Sequence, residues 1–111
     1  MAKFLTSLLT EKKAKNTRLL HLEKLTSYCD YIIVASATSE RHSRALADYL
    51  IKECKNKSIK ALGTEGYDTC QWILIDYSDI IVHIFSQDAR MVYDLDGLWS
   101  DAPSIPIEDE A

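Results

Sequence analysis

The sequence predicts one compact α/β domain of the α+β kind, with helices packed on a mixed β-sheet of about five strands. Three observations lead there. The 111 residues suit a single ordinary domain and are too few for two. Apolar residues make up 47% and charged residues 27%, a balance that lets a chain bury a core without staples. Short β-branched runs alternate with an amphipathic helical stretch, so no single period governs the whole chain.

The elements follow in order. Phe4, Leu5, Leu8 and Leu9 form one stripe of a short helix whose polar end is Glu11-Lys12-Lys13. Arg18 to Leu22 is strand-like. Tyr31-Ile32-Ile33-Val34-Ala35 is a continuous β-branched run and reads as a central strand buried on both faces. Thr38 or Ser39 then caps a helix with Ala45, Leu46, Tyr49, Leu50 and Cys54 on its buried face. Lys52, Lys55 and Lys57 suit the negative end of its dipole. Ile59-Lys60-Ala61-Leu62 reads as an edge strand ending at Gly63. Gly66-Tyr67-Asp68 is a loop. Gln71–Tyr77 and Ile80–Phe85 are strands joined by the two-residue turn Ser78-Asp79. Gln87–Trp99 resembles a short helix followed by a turn at Asp96-Gly97. The domain is therefore expected to span 1–100, followed by an acidic tail over 101–111 that holds Glu108-Asp109-Glu110.

Charge and cysteine usage narrow the function. Thirteen Lys and Arg against 17 Asp and Glu give a formal charge of −4, which argues against broad binding to nucleic-acid backbones. Cys29, Cys54 and Cys70 are odd in number and hold no C-x-x-C pair, so neither a disulfide framework nor a zinc site is expected. No apolar run has the length of a signal-peptide core or a membrane span, which predicts a soluble cytoplasmic protein.

The hairpin turn fixes a parity. With Ser78-Asp79 as the loop, 77 opposes 80, and counting outward pairs 76 with 81, 74 with 83 and 72 with 85. Ile73, Ile75, Tyr77, Ile80, Val82 and Ile84 then share one face, which belongs against helices. Trp72, Leu74, Asp76, Ile81, His83 and Phe85 share the other, a candidate binding surface. The competing reading has the terminal segment cover this second face, with Trp72 and Phe85 as a cross-strand aromatic pair in a minor core. His83 stands beside no nucleophile motif, and His21 and His42 have no ligand-like spacing. Neither G-x-G-x-x-G nor the phosphate-loop motif occurs.

Asp30 to Asp48 (D-Y-I-I-V-A-S-A-T-S-E-R-H-S-R-A-L-A-D), Trp72 to Phe85 (W-I-L-I-D-Y-S-D-I-I-V-H-I-F) and Tyr93 to Pro103 (Y-D-L-D-G-L-W-S-D-A-P) together resemble the ribosomal silencing factor, or Iojap-like, family. The resemblance runs in order from about Leu19 to Pro103. Family members often carry Gly, Asn and Gln where Ala37, Thr38 and His42 stand here. The resemblance implies a nucleotidyltransferase-like fold without the catalytic motif, no enzyme activity and no cofactor. It also implies binding to the large ribosomal subunit through its ribosomal protein fourteen, which obstructs joining of the small subunit and lowers translation when nutrients are scarce. On that reading Trp72, Asp76, Asp79, His83 and Phe85 form the contact surface, flanked by Tyr67, Tyr93, Leu98 and Trp99. Two alternatives stay open: a nucleotide-binding protein using Asp76 and Asp79 with Mg²⁺, and a self-associating scaffold that buries the aromatic face in a homodimer.

Overall fold

A computed structural model of the protein describes residues 2–21 and 29–86 and the backbone of 104–105. Helix α1 spans Ala2–Glu11 and buries Leu5, Leu8 and Leu9 of the predicted stripe, with its fourth member, Phe4, partly buried. It is followed by β1 (Lys15–His21), β2 (Tyr31–Ala37), α2 (Glu40–Asn56), β3 (Gly63–Glu65), β4 (Trp72–Asp76), β5 (Ile80–Ser86) and the two-residue β6 (Ser104–Ile105). The strand order is β3-β4-β5-β2-β1-β6. β2 pairs parallel with β5, and every other pairing is antiparallel, so the sheet is mixed as expected.

β2 lies inside the sheet, and Ile32 to Ala37 are all buried. Its alternate residues divide the interior. Ile33, Ala35 and Ala37 join Ile73, Ile75, Val82 and Ile84 and the apolar stripes of both helices in the main core. Ile32 and Val34 face the other way, with Leu20, Cys29, Ile81 and Phe85. Full burial of each Ile, Leu or Val side chain among them stabilises the fold by about 1.5–3 kcal/mol.

Both helices end in the same manner. Lys13 and Ser58 take left-handed backbone angles, φ 67° and 63°. Beyond them the Ala14 and Ile59 amides donate to the carbonyls of Leu9 and Cys54, at 3.1 and 2.8 Å. These are Schellman closures made without glycine. The second one shifts an expected strand. Ile59 completes the end of α2, the first bond towards the sheet is Leu62 N–H to the Asp76 carbonyl (2.7 Å), and the edge strand occupies Gly63–Glu65 instead of 59–62. Ala45 also departs from expectation, being exposed instead of on the buried face of α2. Within the segment expected to be tail, Ser104 and Ile105 pair with Leu20 and Leu19 of β1. The helix expected over 87–99 lies outside the described residues.

Of the two candidate caps, Ser39 starts α2: its Oγ accepts from the His42 amide at 3.0 Å, with φ at −157°. Ser39→Ala is expected to cost about 1 kcal/mol of stability, read as a lower urea midpoint at unchanged slope.

Candidate functional site

The site grows from the β4–β5 hairpin. Tyr77 N–H donates to the Ile80 carbonyl at 2.9 Å, and Ser78 adopts φ 72°, which closes the two-residue turn. Asp76 supplies what a glycine or asparagine would normally provide there: its Oδ1 accepts from the Ser78 amide at 2.7 Å. The resulting register pairs Trp72 with Phe85, Leu74 with His83 and Asp76 with Ile81, the parity read from the sequence. The Asp79 carbonyl accepts from the Asp30 and Tyr31 amides at 2.9 and 3.0 Å, which ties the hairpin tip to the start of β2.

Depth separates residues that parity places together. Phe85 is fully buried and His83 is 6% exposed, so both lie beneath the surface. Trp72, Leu74 and Asp76, at alternate positions on β4, are half-buried and form a stripe with an aromatic end and an acidic end. Four residues of strand put those ends about 13 Å apart. The β5 side of the ribbon is thus buried, whereas the β4 side is partly exposed while its Trp72 and Leu74 pack against the minor core.

Trp72 is held from below. Its Nε1–H donates to His83 Nδ1 at 2.9 Å, and its ring lies 5.1 Å from that of Phe85. The bond assigns the His83 proton to Nε2. Burial lowers the His83 pKa to about 4, so the imidazole is neutral at physiological pH and acts as an acceptor. At the acidic end, Asp79 is exposed, and a cavity of about 430 Å³ opens between Asp30, Asp79, Tyr31, Tyr77 and Lys3.

Tyr67 is elsewhere. It packs against the helix-side core, opposite the face that carries Trp72, and its hydroxyl donates to Asp48 of α2 at 3.1 Å. Burial and then the Asp48 carboxylate push its phenol up. Tyr67 therefore clamps the loop to α2. Tyr93, Leu98 and Trp99 lie outside the described residues. Two neighbours were missing from the expected contact set. Leu74 completes the β4 stripe, and parity already placed it there. Leu62 is 72% exposed, the one exposed large hydrophobic among the described residues, and is bonded to Asp76 through its backbone. Nothing local in the sequence marks it.

Burial, reinforced by Asp30 and Asp76, raises the Cys29 thiol, and burial also raises Cys54, which weakens both as nucleophiles. Among the described residues no group of three or more His, Cys, Asp or Glu is placed to hold a metal. No helix among them is long and apolar enough to cross a membrane.

The family model described as "Ribosomal silencing factor during starvation" matches residues 1–111. The "Ribosomal silencing factor RsfS" of Haemophilus influenzae is 40% identical over 88 residues, covering 78% of this chain and 86% of that protein. The mouse "Mitochondrial assembly of ribosomal large subunit protein 1" is 29% identical over 99 residues, covering 86% of this chain and 43% of that longer protein. A crystal structure of a protein from Chromobacterium violaceum superposes with a TM-score of 0.85 at 31% identity, covering 97% of this chain and 91% of that one. With the whole chain matched, and the hairpin register and mixed sheet in place, the protein belongs to the ribosomal silencing factor family.

Proposed function

We propose that the protein binds the large ribosomal subunit through its ribosomal protein fourteen and, by occupying the joining surface, keeps the small subunit away. The observation that carries this reading is the Trp72-Leu74-Asp76 stripe of a family member. It is an aromatic and aliphatic surface ending in acid, held rigid by the His83 bond beneath it. Ribosomal proteins are generally basic, so Asp76 and Asp79 aid encounter while the half-buried indole supplies affinity. No chemistry is required, because a bound domain shifts subunit association by mass action. The large-subunit wording of the mouse relative's name supports the same choice of partner.

Co-sedimentation with purified large subunits, followed by a subunit-joining assay, tests the proposal. The wild type is expected to co-sediment and to slow joining. Trp72→Ala is expected to weaken binding by about 2 kcal/mol or more, roughly thirtyfold, while the domain stays folded because the indole is only half-buried. A wild-type protein that neither co-sediments nor slows joining would overturn the proposal. A folded Trp72→Ala that binds normally would remove Trp72 from the contact.

A further inference from the structure

The net charge conceals a strong asymmetry. Residues 1–60 hold twelve Lys and Arg against six Asp and Glu, whereas residues 61–111 hold one against eleven. Among the described residues the two signs are concentrated in different parts of the fold. The basic part supplies both helices, which cover one face of the sheet, whereas Asp76 belongs to the hairpin stripe on the other and Asp79 to the hairpin turn.

On α2, Arg41, Arg44, Asp48, Lys52 and Lys55 fall within about 80° of arc and span about 21 Å of helix, given 100° and 1.5 Å per residue. All five are exposed. Asp48, the one acid among them, is taken up by the Tyr67 hydroxyl, and the Arg44 guanidinium lies 5.4 Å from the same ring. The C-terminal end of α1 borders the stripe. Thr38 N–H donates to His42 Nδ1 at 3.0 Å, which leaves Nε2 as the protonated nitrogen that donates to the Lys12 carbonyl at 2.8 Å. Lys12 Nζ lies 4.6 Å from the Tyr49 ring, whose hydroxyl donates to Glu11 at 3.2 Å, so Glu11 offsets one of the two charges that Lys12 and the exposed Lys13 add beside α2.

We propose that this helix face is a second contact, for the phosphate backbone of double-helical RNA, on the side of the domain opposite the Trp72 stripe. The choice among polyanions rests on the ribosomal reading and on one further observation. The only exposed large hydrophobic among the described residues, Leu62, lies off the helix layer, so the basic face has no apolar side chain to insert into a bilayer. A rigid row of cations with nothing to read base edges fits backbone contact without sequence preference. The protein then bridges a basic ribosomal protein on one face and ribosomal RNA on the other.

Fluorescence anisotropy with a labelled RNA duplex of about 20 base pairs, titrated across salt concentrations, tests this. The wild type is expected to bind at low salt and to weaken steeply as salt rises. The triple variant Arg41→Gln, Lys52→Gln, Lys55→Gln is expected to bind at least about tenfold more weakly and to lose about 0.9 of log-log salt slope per contact removed. Arg41→Lys, Lys52→Arg, Lys55→Arg should retain binding, because only charge is required. Thermal midpoints confirm that both variants are folded. Isolated ribosomal protein fourteen should be bound normally by the glutamine triple, and duplex RNA should be bound normally by Trp72→Ala. Wild-type protein that ignores the duplex, or a glutamine triple that binds it as well as wild type, overturns the RNA contact even where ribosomal protein fourteen is still bound. Binding to vesicles of anionic lipid without binding to the duplex overturns it in favour of a membrane. Duplex binding that persists where ribosomal protein fourteen is not bound supports the RNA contact and counts against the proposed function instead.

Discussion

Gly66→Ala is expected to destabilise the domain by at least about 3 kcal/mol and to dislodge the indole of Trp72. Two costs add. Gly66 has φ +89°, a left-handed region that costs an L-residue about 1–2 kcal/mol. A Cβ there would also collide with the Trp72 carbonyl oxygen and lie 2.9 Å from its carbonyl carbon. Both are backbone atoms of β4, so no side chain can rotate away, and the loop must lift from the strand. The Gly66 carbonyl accepts from Cys70 N–H at 2.9 Å, which places the loop closure itself at risk. The measurement is urea denaturation beside Gly63→Ala, where an added Cβ meets nothing within 4 Å. The Gly63 variant should stay within about 0.5 kcal/mol of wild type. Equal losses at the two glycines would remove close approach as the cause. Because the clash falls on the Trp72 peptide, Gly66→Ala should also weaken large-subunit binding under conditions where it remains folded.

The contrast between those glycines shows what local sequence carries. Hairpin parity was readable because a two-residue turn leaves one register, and Asp76 stands in sequence where it can hold Ser78 in a left-handed conformation. The amphipathic α2 and its serine cap were readable for the same reason: the determining contacts lie within four residues. The end of α2 was less so, since Ser58 occupies the position usually signalled by glycine. Burial depth within the candidate face was not readable at all. His83 and Phe85 share a face with Trp72 and Asp76, yet β5 is flanked by β4 and by a parallel β2 from about fifty residues earlier, whereas β4 has only the three-residue β3 outside it. Strand order is a long-range property that alternation does not encode, and it decides which half of the ribbon is core. The same limit applies to Tyr67, which is near Trp72 in sequence but is carried to the opposite face by the turn at residues 67–69.

Acidification is expected to weaken the fold through His83 before most carboxylates are neutralised. In the unfolded chain this imidazole titrates near its ordinary value of 6.5, whereas in the folded domain burial lowers it to about 4. Between these values the unfolded state binds a proton that the native state refuses. Stability is therefore complete above about pH 6.5 and falls as pH drops, by up to about 3 kcal/mol once pH 4 is passed. His83→Gln keeps an acceptor for the indole but cannot ionise, so its stability profile should lack this part of the decline. The difference between the two profiles from urea denaturation isolates His83 from the acids. Parallel curves over pH 4–6.5 would show that the imidazole does not control acid stability. Near pH 4 the native imidazole itself takes up a proton on Nδ1, which then cannot accept the Trp72 N–H, so the indole is released there. In a Trp99→Phe background, which leaves Trp72 as the sole tryptophan, emission should shift along the His83 titration. Large-subunit binding by the folded domain should weaken as pH approaches 4, because the anchor proposed to carry affinity is oriented by a bond that exists only while His83 is neutral.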